Sequence, residues 1–220
     1  MKRALLSLVF AVSTAACAGK VPATRFYQLA TPSTPTPTNN SGVTLAVETL
    51  DTDNAYDDDR MVYRLTPYRL DYYNYHRWSA TPGTLVGNFL EAAFEASGRF
   101  RNVTREADAQ APVILGGRVL ALEEVDKSKT SWVGHVVIEL RLTDATTGDV
   151  VWSQQFDETE PVKEQTPEGL AQALSRALNR IAQNALPMIA EHATQVAKAN
   201  DAQKASEAKA TTSRSARLKP

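Results

Sequence analysis

One cysteine, three histidines and two adjacent glutamates are the residues of this 220-residue chain whose chemistry stands out. His76, His135 and His192 lie far apart, and none has a second His, Cys or carboxylate at a metal-ligand interval on its own element. His135, next to apolar Trp132 and Val133, reads as a packed or edge histidine. Glu123 and Glu124 are neighbours within a strand pattern, so their side chains point to opposite faces and cannot work as paired carboxylates. The run LDTDNAYDDDR has acids at 51, 53, 57, 58 and 59. It lacks the glycine and the closing glutamate of a calcium loop and reads as a solvated loop. Gly116-Gly117 is followed by no Gly-Lys-Ser/Thr and opens no helix, so it is no phosphate cradle; a bulge is the expectation there. With no G-x-S-x-G and no nucleophile beside a base, neither an enzyme nor a cofactor is expected.

Cys17 takes its meaning from its position. Lys2 and Arg3 precede an apolar run from Ala4 to Val12, followed by Ser13-Thr14-Ala15-Ala16-Cys17. A basic start, a short apolar stretch and small residues before a cleavage point make a secretory signal, and the stretch is too short to cross ~30 Å of hydrocarbon. Thr14-Ala15-Ala16-Cys17 resembles the bacterial lipobox, with Thr where leucine is usual. Acylation of Cys17 is the preferred reading, against ordinary cleavage after Ala16 with a free thiol or a cysteine buried in a signal anchor. Each buried methylene contributes ~0.8 kcal/mol, so several acyl chains would hold the protein on a membrane. Ala18 is not the aspartate of inner-membrane retention, which favours the outer membrane.

The elements follow from periodicity. Arg25 to Leu29, Val43 to Leu50, Met61 to Leu65, Tyr68 to Tyr73 and Phe100 to Val103 read as strands, the third and fourth joined by a Thr66-Pro67 turn. Thr81-Pro82 opens a helix, with Thr81 offering a side-chain oxygen to free N–H groups. Leu85, Val86, Phe89, Leu90 and Phe94 form its apolar face, and Gly98 ends it. Ala111 to Val125 is a strand. Trp132 to Thr143 alternates strictly, with Val136, Ile138, Leu140 and Leu142 on one face, and pairs with Val150 to Phe156 as an antiparallel hairpin. Thr166-Pro167 repeats the helix opening, with Leu170, Leu174 and Leu178 on the apolar stripe. Pro187 is expected to kink or end that helix. After about Ala193 the chain is Ala, Lys, Ser and Thr, and a frayed helix passing into a disordered tail is expected. The fold class is α/β: a two-layer sandwich, a mixed β-sheet with two main helices packed on one face.

Five of the seven tyrosines, at 63, 68, 72, 73 and 75, fall within thirteen residues and lead into His76, Arg77 and Trp78. Tyr72 and Tyr73 cannot enter the same core. Either the outer face of this strand is covered by the protein's own helix, or it is a Tyr/Trp/Arg contact surface. The candidate interface residues are Tyr68, Tyr72, Tyr73, Tyr75, Arg77 and Trp78.

Lys and Arg number 24 against 25 Asp and Glu, a balance that argues against nucleic-acid binding. The organisation reads as a lipoprotein-type signal peptide over 1–16 and a lipidated N-terminus, first strand and Pro/Thr-rich spacer over 17–42. A globular domain over 43–192 and an Ala/Lys-rich tail over 193–220 complete it.

The lipobox-like start, F-Y-x-L at Phe26 to Leu29, and the block M-V-Y-R-L with Y-R-L-D-Y-Y-x-Y-H-R-W-S-A-T-P resemble the ABC-type transport auxiliary lipoproteins, the PqiC-like family. The helix that follows and S-G-R-F-R-N-V extend the likeness, which runs from Cys17 to about Ile189. The stretch between Leu50 and Arg60 and the C-terminal tail depart from it. The resemblance implies a periplasmic, outer-membrane-tethered subunit of an MCE-type lipid-trafficking system. Its implied partners are an MCE-domain protein forming a hydrophobic conduit and an inner-membrane permease or ABC transporter, with copies of the subunit forming a ring against the conduit. A non-catalytic adaptor is the preferred function. The alternatives are a lipid carrier, whose acyl pocket the same aromatics would line, and a cell-envelope enzyme, which would show a cleft with convergent titratable side chains.

Overall fold

The computed structural model describes residues 22–30, 40–105 and 111–217, the side chains as far as 211. The signal segment, Cys17 and most of the Pro/Thr-rich spacer lie outside the described residues. A long central strand, β7 (Val113–Ser128), organises the sheet. Along one edge it takes three short strands in succession, all parallel: β2 (Thr44–Val47), β3 (Asp51–Thr52) and β4 (Arg60–Thr66). Its other edge pairs antiparallel with β8 (Ser131–Asp144), which pairs with β9 (Val150–Pro161). Outside β4 lie β5 (Arg69–Trp78), antiparallel to it, and then β1 (Arg25–Tyr27), parallel to β5. Outside β2 lies β6 (Asn102–Arg105), again parallel. The sheet is mixed, and the helices α1 (Pro82–Ala96) and α2 (Pro167–Arg217) pack together over one of its faces, as the expected two-layer α/β sandwich requires.

The strict alternation of β8 places Val136, Ile138, Leu140 and Leu142 under the helices, all at 0% exposure. Leu170, Leu174, Leu178 and Ile181 of α2 meet them, and Leu85, Val86, Phe89, Leu90 and Phe94 of α1 complete the core. A fully buried side chain of this size contributes roughly 1.5–3 kcal/mol, so this layer dominates stability.

The two Thr-Pro helix openings differ. Thr166 Oγ1 accepts from the Gly169 N–H at 3.0 Å, the expected cap. Thr81 makes no such bond; its hydroxyl lies 3.0 Å from Thr84 Oγ1. The free Gly83 N–H instead donates to Thr52 Oγ1 of β3 at 3.0 Å. A Cβ on Gly83 would meet Leu50 O at 2.0 Å, so only glycine allows that approach.

Three more expectations are corrected. The 51–59 stretch is not merely a solvated loop: Asp51 and Thr52 form β3, and Tyr56 is buried against the face of the sheet away from the helices. Pro187 does not end α2, which continues through it to Arg217. Pro187 is exposed, as is Gln183 four residues before it, so the carbonyl left without a donor faces water. Buried Ala185, Ile189 and Ala193 hold the helix to the sheet on both sides of the proline. Finally, the bulge in β7 is not at Gly116-Gly117. The register slips between Val119 and Ala121, leaving Leu120 as the extra residue. Gly117 instead has φ 152°, and a Cβ there would meet Glu139 O at 2.0 Å.

Candidate functional site

The Leu120 bulge decides which side chains reach the outer face. Val113, Leu115 and Val119 point at the helices; continued alternation would send Ala121 and Glu123 there too. The extra residue reverses the parity, so Leu122 and Glu124 turn inward while Ala121, Glu123 and Val125 turn outward. Glu123, only 2% exposed, becomes the centre of a polar cluster built from four other elements. Tyr56 Oη donates to it at 2.8 Å, and Arg64 Nε of β4 lies 3.0 Å from both carboxylate oxygens. His135 Nδ1 of β8 lies 3.2 Å from Oε1, and its Nε2 lies 3.0 Å from Asp157 Oδ1 of β9. Arg64 Nη2 also donates to Tyr56 Oη at 2.9 Å.

Burial pushes Glu123 up, but hydrogen bonds from His135, Arg64 and Tyr56 outweigh it and hold the carboxyl below its ordinary value. The bond to Glu123, helped by Asp157, raises His135 against the opposing effect of burial. Burial and the Glu123 carboxylate push the Tyr56 phenol up. His135, expected as a packed or edge histidine, is instead clamped between two carboxylates supplied by neighbouring strands. Sequence spacing could not show this, because the three residues come from three strands.

Arg64, Glu123, His135 and Tyr56 line a cleft of about 710 Å³ on this outer face. Convergent titratable groups in a cleft were the expected mark of an enzyme. Here the carboxylate is already bonded to three donors and both imidazole nitrogens face carboxylates, so the arrangement joins the 53–59 segment to the sheet. Among the described residues no group of three His, Cys, Asp or Glu could hold a metal ion.

The inward-facing neighbour, Glu124, is 1% exposed and accepts from Tyr73 Oη at 3.2 Å. Burial, reinforced by the adjacent Asp126 carboxyl, pushes it up to about 8.

The structure divides the candidate interface residues. Trp78 is 2% exposed and belongs to the core, where the strand end runs beneath the helices, so its side chain cannot meet a partner. Tyr73 faces the same side, against Tyr63 at 4.9 Å between ring centroids. Tyr72 faces the other side, as strand geometry requires, but its cover is the 53–59 segment and no helix. Its hydroxyl donates to Ala55 O at 2.9 Å and the Arg60 guanidinium sits 4.3 Å from its ring centroid. Arg77 is paired with Asp59. Tyr75 is 37% exposed, and Tyr68, in the β4–β5 turn beside Leu65, is 98% exposed. None of Tyr68, Tyr72, Tyr73, Tyr75 and Trp78 lines the cleft, so these aromatics build no acyl pocket there.

The molecule is thus a two-layer α/β domain with one sheet face sealed by helices and the other carrying a tied polar cluster beside an open cleft. Residues 27–185 match the model of the ABC-type transport auxiliary lipoprotein component, and the chain belongs to that family. A Xanthomonas campestris protein of the DUF330 family shares the fold at 20% identity and TM-score 0.69, with 79% of this chain and 99% of that one covered. The crystal structure of an uncharacterized protein superposes at 13% identity and TM-score 0.62, covering 76% and 99%. No curated protein matches the sequence. No helix among the described residues is long and apolar enough to cross a membrane.

Proposed function

We propose that the protein is an outer-membrane lipoprotein, acylated at Cys17, that serves as a non-catalytic adaptor in an MCE-type intermembrane lipid transport complex. Its partners on this reading are an MCE-domain protein and the associated permease or ABC transporter, and its working form is a ring of copies. Family membership supports the transport role. The observation that carries the adaptor reading is the β4–β5 turn, where Tyr68 is 98% and Leu65 41% exposed on an otherwise well-packed strand pair. Large apolar and aromatic side chains held out on a rigid hairpin suit contact with another protein. The internal bonds of the polar cluster tie Tyr56, Arg64 and His135 to Glu123, which suits a structural role on this reading.

Native mass measurement on the acyl-free Cys17→Ser protein, with and without the MCE-domain neighbour, tests the reading. Oligomers or a complex are expected, weakened by Tyr68→Ala with Leu65→Ser; monomer under every condition overturns it. Intact mass of the membrane-extracted protein tests the anchor, which requires acyl groups on Cys17.

A further inference from the structure

The cleft on the outer sheet face is larger than a polar cluster needs. Beyond Arg64, Glu123 and His135 its lining combines an apolar strip, Leu65, Pro67, Leu120, Val125, Val133 and Val137, with the polar residues Tyr56, Thr66, Asp126, Lys127 and Thr159. It lies between two hairpin ends, the Thr66-Pro67 turn on one side and the β7–β8 turn on the other. We propose that this cleft binds the hydrocarbon chain of a single-chain anionic amphiphile, such as a long-chain fatty acid.

Three observations carry this. The volume, about 710 Å³, is of the size that takes small ligands. The floor belongs to β4, β7 and β8, each paired on both edges within the sheet. A peptide added as an extended strand would find no backbone partners there, whereas a hydrocarbon chain has no N–H or C=O groups to satisfy. At the rim, Lys127 is exposed and makes no ion pair among the described residues, while Arg64 and His135 are already bonded to Glu123. Lys127, near the end of β7, is therefore the cation left for an anionic head, with Lys129 in the turn that follows. The cleft owes its apolar outer residues to the Leu120 bulge, which turns Ala121 and Val125 away from the helices.

The proposal adds a ligand to the adaptor and depends neither on the tether nor on a protein partner. Oleate binding is measured on the full-length Cys17→Ser protein, with glycerol monooleate as the uncharged control. Saturable one-to-one binding of oleate is expected. Val133→Glu, which sets a charge against the chain, weakens it by about tenfold or more. Val133→Phe fills the same space without a charge and also weakens it, so a folding defect in the first variant does not decide the matter. Lys127→Gln weakens oleate by about threefold, the scale of one exposed charge, and leaves glycerol monooleate unchanged. Absence of saturable binding, or equal binding by natively folded Val133→Phe, overturns the proposal. So does an unchanged oleate affinity in Lys127→Gln. A fall in oligomer mass in Val133→Phe without oleate binding also overturns it and assigns the cleft to a second copy of the chain. Oleate binding by a protein that never leaves the monomer would retain the cleft and remove the adaptor.

Discussion

Glu123 and Glu124 are consecutive on β7, equally buried, and opposite in charge behaviour. On the outer face Glu123 meets Arg64, His135 and Tyr56 and stays ionised below its ordinary range. On the helix side Glu124 meets a phenol and a second carboxyl and holds its proton up to about pH 8. Burial opposes ionisation at both positions. What separates them is the number of donors each face supplies, and the faces differ because strands from distant parts of the chain converge on only one of them. The helix face is a close-packed apolar layer with one protonated acid at its edge. The outer face is thinner, stapled by ions, and open beside the staple.

Removing the staple should give the largest effect. Arg64→Met leaves Glu123 buried with only His135 and Tyr56, at an expected loss of about 3 kcal/mol in urea unfolding. Adding Glu123→Gln should recover much of it; equal destabilisation in the double variant would show that Arg64 acts through packing alone. Glu124→Gln tests the opposite face. The Glu124 proton is retained in the fold up to about pH 8 but is lost from the unfolded chain near 4.5, so its contribution falls as pH rises across that window. The glutamine variant should therefore match the parent near pH 4 and exceed it by on the order of 1–3 kcal/mol at pH 9. A pH-independent difference would mean that Glu124 is ionised in the fold. His135→Gln gives a smaller shift. The raised His135 contributes fully below 6.5, and the contribution is lost as pH climbs through its higher folded value, so the variant's Tm deficit should be greater at pH 5.5 than at pH 8.5. An equal deficit at both would show neutral hydrogen bonding only. Smallest of all is Tyr68→Ala, which should leave stability within about 0.5 kcal/mol because its side chain touches water. A larger loss would mean that the turn packs against the body.

Much of the architecture was legible because it is local. The alternation of β8, the Val150–Phe156 hairpin partner and the apolar stripes after Pro82 and Pro167 are properties of short windows, and each appears where its period placed it. The cap at Thr166 formed as its residue type suggested; at Thr81 it did not, and the Gly83 N–H is met instead by Thr52 of β3, far away in sequence. Pro187 misled because its effect depends on whether the freed carbonyl faces water. The aromatic cluster was visible as composition, yet which of its members point outward depended on cover from the 53–59 segment.

By itself the sequence determined the two helices, the order of most strands and the assignment of Tyr72 and Tyr73 to opposite faces, since these follow from periods of 3.6 and 2 within single segments. Only the tertiary structure decided that Leu120 would bulge, that Glu123 would thereby turn to the outer face, that Tyr56, Arg64 and His135 would meet it, and that Asp157 would hold the far nitrogen of His135. A side-chain cluster drawn from a loop and four strands has no spacing along the chain, because the sheet brings its members together through pairings between residues far apart in sequence.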